Sequence, residues 1–285
     1  METPAVELAW DVRCAVGEGC LWDGAAGRVL FCDIPAGRIH ALYPADGRRE
    51  TWQLPDLVAS FGLCRSGKLI VALSNRFVRF DPATGAVADF AGPVDEPPEC
   101  RLNDGKVGPD GCFWVGGMDR DARRRPIASL YRVRPDGVVE RKGTGYRISN
   151  GLAWSPDGKT MYHADTPEGR VDAWRFEAAT GEIGERRVFA RLSEAEGKPD
   201  GAAMDTAGVY WSAGVTAGCV NGIGADGSVR RRIVVPVKTP TMICFADETL
   251  YVTSLRREEG GDAHAGGLFG LPAPAVGAPI PLFAD

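Results

Sequence analysis

One pattern of strand, turn and returning strand recurs through this chain and limits the folds open to it. Its clearest copy covers residues 149–154 (SNGLAW), the turn 155–158 (SPDG) and a second strand at 159–165. Leu152 and Trp154 alternate with smaller residues, as in a half-buried strand. Proline and glycine in the turn favour the fixed and the positive φ of a β-turn. A chain built from such copies is predicted to be all-β.

Four polar residues occupy the same place in copies of this pattern. The copies at residues 101–116, 149–165 and 199–212 each carry a polar residue eight positions before the turn glycine. A looser copy at residues 17–27 carries one nine positions before its glycine, because its turn is longer. Since the registers agree, we interpret these residues as one structural position, held by Glu18, Asn103, Asn150 and Asp200.

The same repeat extends over the whole chain. Returning strands of this type are predicted six times, at residues 29–33, 69–73, 113–115, 161–163, 209–211 and 250–253. Each is followed by a third strand, and glycines of the second turns at positions 47, 85, 137, 181 and 227 lie 38, 52, 44 and 46 residues apart. That spacing is close to the ~40–50 residues of a four-stranded propeller blade. We therefore predict a six-bladed β-propeller as a single domain over residues 1–285, closed by pairing of residues 6–10 with the last blade.

A propeller brings the four polar positions together. The innermost strand of every blade lines the central channel, so equivalent residues form a ring near its mouth; blades two and six hold Ala59 and Pro240 there. Two carboxylates and two amides, without thiolates or clustered imidazoles, favour calcium, magnesium or manganese, although zinc also accepts oxygen ligands. Two interpretations fit these residues: a single metal site at the channel mouth, or polar side chains that hydrogen-bond ordered water.

Composition limits the kinds of partner and the cellular compartment that we expect for this chain. A net charge of −5 and a pI near 5.4 disfavour nucleic acid as a partner. The sequence has no 18-residue apolar run and no signal peptide, so we expect a cytoplasmic protein without a membrane partner. The eight cysteines include no C-x-x-C pair, and we expect them to be reduced and buried in strands.

Five motifs, in order along the chain, resemble the SMP-30/gluconolactonase/regucalcin family. The resemblance spans nearly the whole chain. It implies a six-bladed propeller that binds one divalent cation, and an enzyme that hydrolyses sugar lactones. By this resemblance, Glu18, Asn150 and Asp200 are metal ligands. Arg101, Asn103 and Asp121 then bind substrate, the last as an acid that contacts a sugar hydroxyl. The motifs are residues 17–22 (GEGCLW), 101–107 (RLNDGKV), 149–157 (SNGLAWSPD), 199–201 (PDG) and 240–245 (PTMICF).

The resemblance also implies a mechanism. A metal such as Ca, Zn, Mg or Mn polarises the lactone carbonyl or lowers the pKa of a water molecule. Asp200 is our choice of general base, with Glu18 as the second choice, and Arg101 orients the ring through charge-assisted hydrogen bonds. No Gly-x-Ser-x-Gly motif occurs, which argues against a serine hydrolase. The expected partner is a small sugar lactone, and the expected state is a monomer or a weak homo-oligomer.

Three classes of function follow from these expectations. They are a metal-dependent lactonase, a regucalcin-like calcium-binding regulatory protein without lactone turnover, and an interaction scaffold. The presence of Arg101 beside the acidic and amide residues favours the enzyme, because a cation site alone does not need an arginine. His163 is predicted to be structural. The arginine-rich run at residues 120–125 is either a solvated loop or a site that attracts an anionic lactone.

Overall fold

Six antiparallel sheets of four strands each make up the computed structural model, which describes residues 5–121, 124–256 and 262–285. In five of them the strands follow chain order from the inner to the outer edge. This arrangement confirms the predicted six-bladed propeller. Among the described residues, no helix combines the length and the apolar character needed to cross a membrane.

The first three blades come from residues 17–146. Blade one contains β2 (Gly17–Asp23), β3 (Arg28–Asp33), β4 (Arg38–Tyr43) and β5 (Arg48–Gln53). Blade two contains β6 (Ser60–Leu63), β7 (Leu69–Ala72), β8 (Phe77–Phe80) and β9 (Val87–Ala91). Blade three contains β10 (Cys100–Val107), β11 (Phe113–Asp119), β12 (Ala128–Val133) and β13 (Val139–Tyr146).

The remaining blades complete the ring. Blade four contains β14 (Ser149–Trp154), β15 (Thr160–Asp165), β16 (Arg170–Glu177) and β17 (Glu182–Arg191), with a short 3-10 helix at Thr166–Glu168. Blade five contains β18 (Pro199–Met204), β19 (Tyr210–Gly214), β20 (Cys219–Ile223) and β21 (Val229–Val234). Blade six contains β22 (Pro240–Ala246), β23 (Thr249–Ser254), β24 (Leu268–Pro272) and, from the start of the chain, β1 (Glu7–Trp10).

The ring closes through β1, as the sequence predicted. This strand pairs antiparallel with β24, with Glu7 opposite Gly270 and Leu8 opposite Phe269. It therefore covers the outer edge of the last blade, which would otherwise present unpaired backbone groups. At the end of β1, Trp10 packs edge-to-face on Phe31 of blade one, with ring centroids 5.6 Å apart.

Local turn chemistry and aromatic packing explain why the blades form. Gly158 in the Ser-Pro-Asp-Gly turn has a φ of +67°, which glycine adopts without steric cost. Trp114 and Trp154 then meet between blades three and four at a centroid distance of 6.2 Å. Trp211 meets Phe245 between blades five and six at 6.3 Å. Trp114, Trp154 and Trp211 therefore pack neighbouring blades together.

The described cysteines agree with the sequence prediction. All eight are free and buried. Cys20 and Cys244 lie on the inner strands of blades one and six, with their sulfur atoms 3.1 Å apart. None of the eight is therefore needed as a disulfide to hold the ring together.

Candidate functional site

Register shifts in the inner strands determine which way the four predicted polar side chains point. In β2 and β14 the register shifts directly after Glu18 and Asn150. In β10 and β18 the shift instead includes Asn103 and Asp200. A one-residue change of register turns a side chain to the opposite face of a strand, and a bulge re-aims it. The four positions that turn spacing predicted to be equivalent therefore differ by one residue in their strand pairing, and the bulges compensate for this difference.

A chain of hydrogen bonds joins the inner strands of blades three, four and five. Arg101 Nη1 donates to Asn103 Oδ1 at 2.8 Å, and Asn103 Nδ2 donates to Asn150 Oδ1 at 2.9 Å. Asn150 Nδ2 donates to Thr166 Oγ1 at 2.8 Å, and that hydroxyl donates to the carbonyl of Pro199 at 2.7 Å. Pro199 directly precedes Asp200. The chain thus fixes both amides and ends beside a predicted carboxylate ligand.

Three buried carboxyl groups lie beside this chain. Burial raises the pKa of Glu18 well above its usual range, and the charges of Asp200 and Asp104 raise it further. Burial likewise raises the pKa of Asp200, with Asp104 adding to the effect, while hydrogen bonds from the Gly201 backbone and from Asn150 oppose it. These groups are close enough to repel one another, so a proton or a cation is needed to offset their charge.

Asp104 and Lys106 belong to the site although the sequence analysis gave them no role. Asp104 Oδ2 accepts a long 3.4 Å hydrogen bond from the Leu152 amide, and among the described residues its Oδ1 has no partner. The Lys106 amine donates to the Ala202 carbonyl, and its charge lowers the pKa of Asp104 against the effect of burial. Residues two apart in a strand share a face. The sequence of residues 103–106 (NDGK) therefore already indicated that Lys106 could lie beside Asp104.

The fit of the donor set to a divalent cation depends on an amide oxygen as well as on carboxylates. Within the described ranges, no group of three or more His, Cys, Asp or Glu side chains has an arrangement suited to a metal. The set formed by Glu18, Asn150 and Asp200 differs because one of its members is an amide. Asn150 Oδ1 accepts from Asn103 and retains a second lone pair. The two carboxylates are buried. Their oxygen chemistry fits a hard cation.

Asp121 lies outside the inner strands that carry most of the predicted site residues. It follows β11 in the rim loop, where its amide donates to Asp119 Oδ1 at 3.0 Å. Arg125 holds the same Asp119 carboxylate through two hydrogen bonds of 2.9 and 3.1 Å. The structure therefore brings five of the predicted site residues together, and it places Asp121 on a loop at the end of a neighbouring strand. The five are Glu18, Arg101, Asn103, Asn150 and Asp200.

His163 is structural, as predicted. Its Nε2 shares a hydrogen bond with Ser149 Oγ, and both side chains are buried. Burial lowers the pKa of His163 to about 3, so the imidazole is neutral near pH 7. It supports the residue before Asn150 and does not reach the channel as an acid or base.

A cavity lies at the other end of the inner strands, beside the turn at residues 155–158. It has a volume of about 210 Å³ and a mainly apolar lining that includes Leu21, Phe61 and Met204, with Lys106 as its charged lining residue. Residues 278–281 of the C-terminal segment form part of its wall. The acidic and amide groups lie at the other mouth.

Comparison with known proteins gives consistent matches over most of the chain. The sequence profile of the SMP-30/gluconolactonase/LRE-like region matches residues 16–256. The chain is 36% identical over 279 residues to 6-deoxy-6-sulfogluconolactonase from Pseudomonas putida, covering 94% of the chain and 95% of that protein. It is 32% identical to regucalcin from Xenopus laevis, covering 89% and 88%. The crystal structure of the calcium-binding protein regucalcin from Agrobacterium tumefaciens matches with a TM-score of 0.91 and 28% identity over 100% of both chains.

Proposed function

The chain belongs to the SMP-30/gluconolactonase/LRE-like family, and from that premise we propose that it hydrolyses a sugar lactone to the corresponding aldonic acid. The observation that carries the proposal is the half-buried guanidinium of Arg101, bonded to Asn103 beside the Glu18 and Asp200 carboxylates. A site that only held a cation would gain nothing from a half-buried positive charge at this place. A relative named as a sulfogluconolactonase supports the same reaction class.

Glu18, Asn150 and Asp200 are the residues that would hold a divalent cation. Calcium, zinc, magnesium and manganese are the candidates, because the donors are all oxygen atoms. When bound, such a cation supplies Lewis acidity toward the lactone carbonyl and lowers the pKa of a water molecule. It would also offset the repulsion between the Glu18 and Asp200 carboxylates, which burial makes costly.

The protein side chains supply orientation and proton transfer. We assign Arg101 to orienting the lactone, since its guanidinium keeps donors beyond the Nη1 that bonds Leu102 and Asn103. Asn103 contacts substrate and fixes Asn150, while Asp121 contributes from the rim loop. Asp200 takes the proton from the attacking water, because a buried carboxylate is a stronger base than an exposed one. Glu18 is the second choice for this role.

A regucalcin-like calcium-binding function without lactone turnover is the second candidate. Its support is the all-oxygen donor set, together with a relative and a solved structure that are both named as regucalcin. In that case Arg101 would only hold the Asn103 side chain in position and would never contact a substrate.

One experiment separates the two candidates. Metal-stripped protein is assayed with a pH indicator on a panel of aldono-1,4- and aldono-1,5-lactones, with each divalent cation added back in turn. We expect at least one cation to restore turnover, and Asp200→Asn to abolish it. Asp157→Asn, in an exposed turn at the other end of blade four, is the matched control. Tight cation binding without turnover of any lactone would favour the calcium-binding function.

A further inference from the structure

Arginines are concentrated on the rim of the channel mouth, in and around the loop that follows β11. Two of them have acidic partners. Arg125 bonds Asp119 and lies 3.6 Å from Glu99, and Arg147 bonds Glu168 at 2.7 Å. The positive charges of these two are therefore offset within the protein.

Three other arginines at this rim form no ion pair with any residue that the structure describes. Arg101 Nη1 bonds the Leu102 carbonyl and the Asn103 amide oxygen. Arg124 Nη1 donates to the carbonyl of Asp119 at 2.6 Å. Arg120 is exposed, and over the described part of the chain no carboxylate forms an ion pair with it. Among the described residues, these three guanidinium groups therefore have no ion-pair partner, although the charge of Glu18 acts on Arg101.

Strand register brings two of these arginines to the same face. Arg101 on β10 is paired with Met118 on β11, and the Arg120 amide extends the ladder by donating to the Glu99 carbonyl at 3.0 Å. Arg120 lies two residues beyond Met118, so it projects from the same face as Arg101, one step farther from the channel. Burial lowers the pKa of Arg101 to about 10. The charges of Arg120 and Arg124 lower this pKa further, and the charge of Glu18 opposes them.

We propose that Arg120 and Arg124 form a subsite for an anionic group, a phosphate, sulfonate or carboxylate, carried by the lactone at the end remote from its ring ester. Arg101 then holds the ring itself, between this subsite and the carboxylates of Glu18 and Asp200. The inference rests on the proposed lactone hydrolysis and names the substrate class of that same site.

Charge chemistry supports an anion at this place. Adjacent guanidinium groups repel one another, and an anion with two or three oxygen atoms offers each of them a charge-assisted hydrogen bond. The run at residues 120–125 contains four arginines and one aspartate, so it is a locally positive stretch in a chain whose net charge is −5. A positive region beside a cleft raises the local concentration of anionic substrate.

The test compares four aldono-1,5-lactones that differ only at the remote carbon: a hydroxyl, a phosphate, a sulfonate and a carboxylate. We expect the metal-loaded protein to favour at least one of the charged lactones over the neutral lactone by roughly tenfold in kcat/KM, a ratio that falls as salt screens the charges. Arg120→Gln should reduce this ratio roughly tenfold, and Arg124→Gln should reduce it in the same direction. Arg65→Gln, an exposed arginine at the opposite end of the channel, should leave the ratio unchanged. The three charged lactones distinguish phosphate, sulfonate and carboxylate from one another.

Equilibrium binding of the open-chain acids, measured by calorimetry, gives a readout that does not depend on turnover. Hydrolysis of all four lactones with one common efficiency, or a ratio unaffected by Arg120→Gln, would overturn the subsite and leave the lactonase assignment intact. Arg120-dependent binding of a charged aldonate, without turnover of any lactone, would keep the subsite and overturn the proposed hydrolysis. Neither binding nor turnover would overturn both.

Discussion

Asn103 Nδ2 donates to Asn150 Oδ1 at 2.9 Å and so links the inner strands of blades three and four across 47 residues of sequence. The same nitrogen donates to the Ser149 carbonyl at 3.0 Å, and Asn103 Oδ1 accepts from Arg101. Both donors of this amide are therefore used inside the protein. Asn103 positions the predicted ligand Asn150 in addition to any contact it makes with a substrate.

The first prediction concerns this amide. Asn103→Leu removes both donors, so Asn150 loses its orientation. We expect cation affinity, measured by calorimetry on stripped protein, to fall about 10- to 100-fold, as it does when other residues that orient metal ligands are removed. Asn221→Leu is the control, because the Asn221 amide is also buried but bonds the Glu196 carbonyl away from the channel. It should lower stability without weakening cation binding, and equal affinity losses in the two variants would contradict the positioning role.

The second prediction concerns Asp104 and Lys106, whose charges interact inside the channel. Lys106→Met leaves the buried Asp104 carboxylate without its compensating cation, so we expect the free energy of unfolding to fall by about 3–5 kcal/mol. Asp104→Asn together with Lys106→Met removes both charges and should cost less than Lys106→Met alone. Urea denaturation of the two single variants and the double variant measures the coupling. Strictly additive losses would show that the two groups do not interact.

The third prediction concerns pH. Burial lowers the pKa of His163 from 6.5 to about 3, so the folded protein binds fewer protons than the unfolded chain between these values. The stabilisation by neutral His163 is present above pH 6.5 and is lost as the pH falls. The advantage of the wild type over His163→Gln in unfolding free energy should therefore shrink by about 1.4 kcal/mol per pH unit between pH 6 and pH 4. Parallel stability profiles for the two proteins would rule this out.

The fourth prediction concerns ring closure. Deletion of the chain up to Trp10 removes β1, which exposes the edge of β24 and the face of Phe31 that Trp10 covers. We expect a lower melting temperature in calorimetry and more association at high protein concentration, because an open strand edge pairs with other chains. Trp10→Ala keeps the strand and loses only the packing, so it should be monomeric at concentrations where the deletion variant associates.

Much of the fold could be predicted from the sequence because its determinants are local. Apolar residues alternate with a period of two in the strands, and the turn glycines need positive φ. Each blade can therefore be recognised from a short stretch of sequence. The recurring place of Glu18, Asn103, Asn150 and Asp200 then followed from counting to the turn glycines. Closure by the first strand also followed, since an unpaired outer edge in the last blade needs a partner.

Strand register inside the blades and contacts between blades could not be predicted in this way. The bulges that place Asn103 and Asp200 one residue out of step with Glu18 and Asn150 depend on pairing with the next strand, and turn spacing does not reveal them. Thr166 likewise links Asn150 to the Pro199 carbonyl only because blades four and five are neighbours.

The sequence by itself therefore determined the repeat, the number of blades and the polar character of one channel mouth, because these depend on residues close together in the chain. The tertiary structure alone decided that Asp104 adds a third carboxyl to the site, that Lys106 compensates it, and that Arg120 joins Arg101 at the rim. The physical reason is that burial, charge repulsion and hydrogen bonding act between atoms near in space, and the closed ring brings together side chains from blades far apart in sequence.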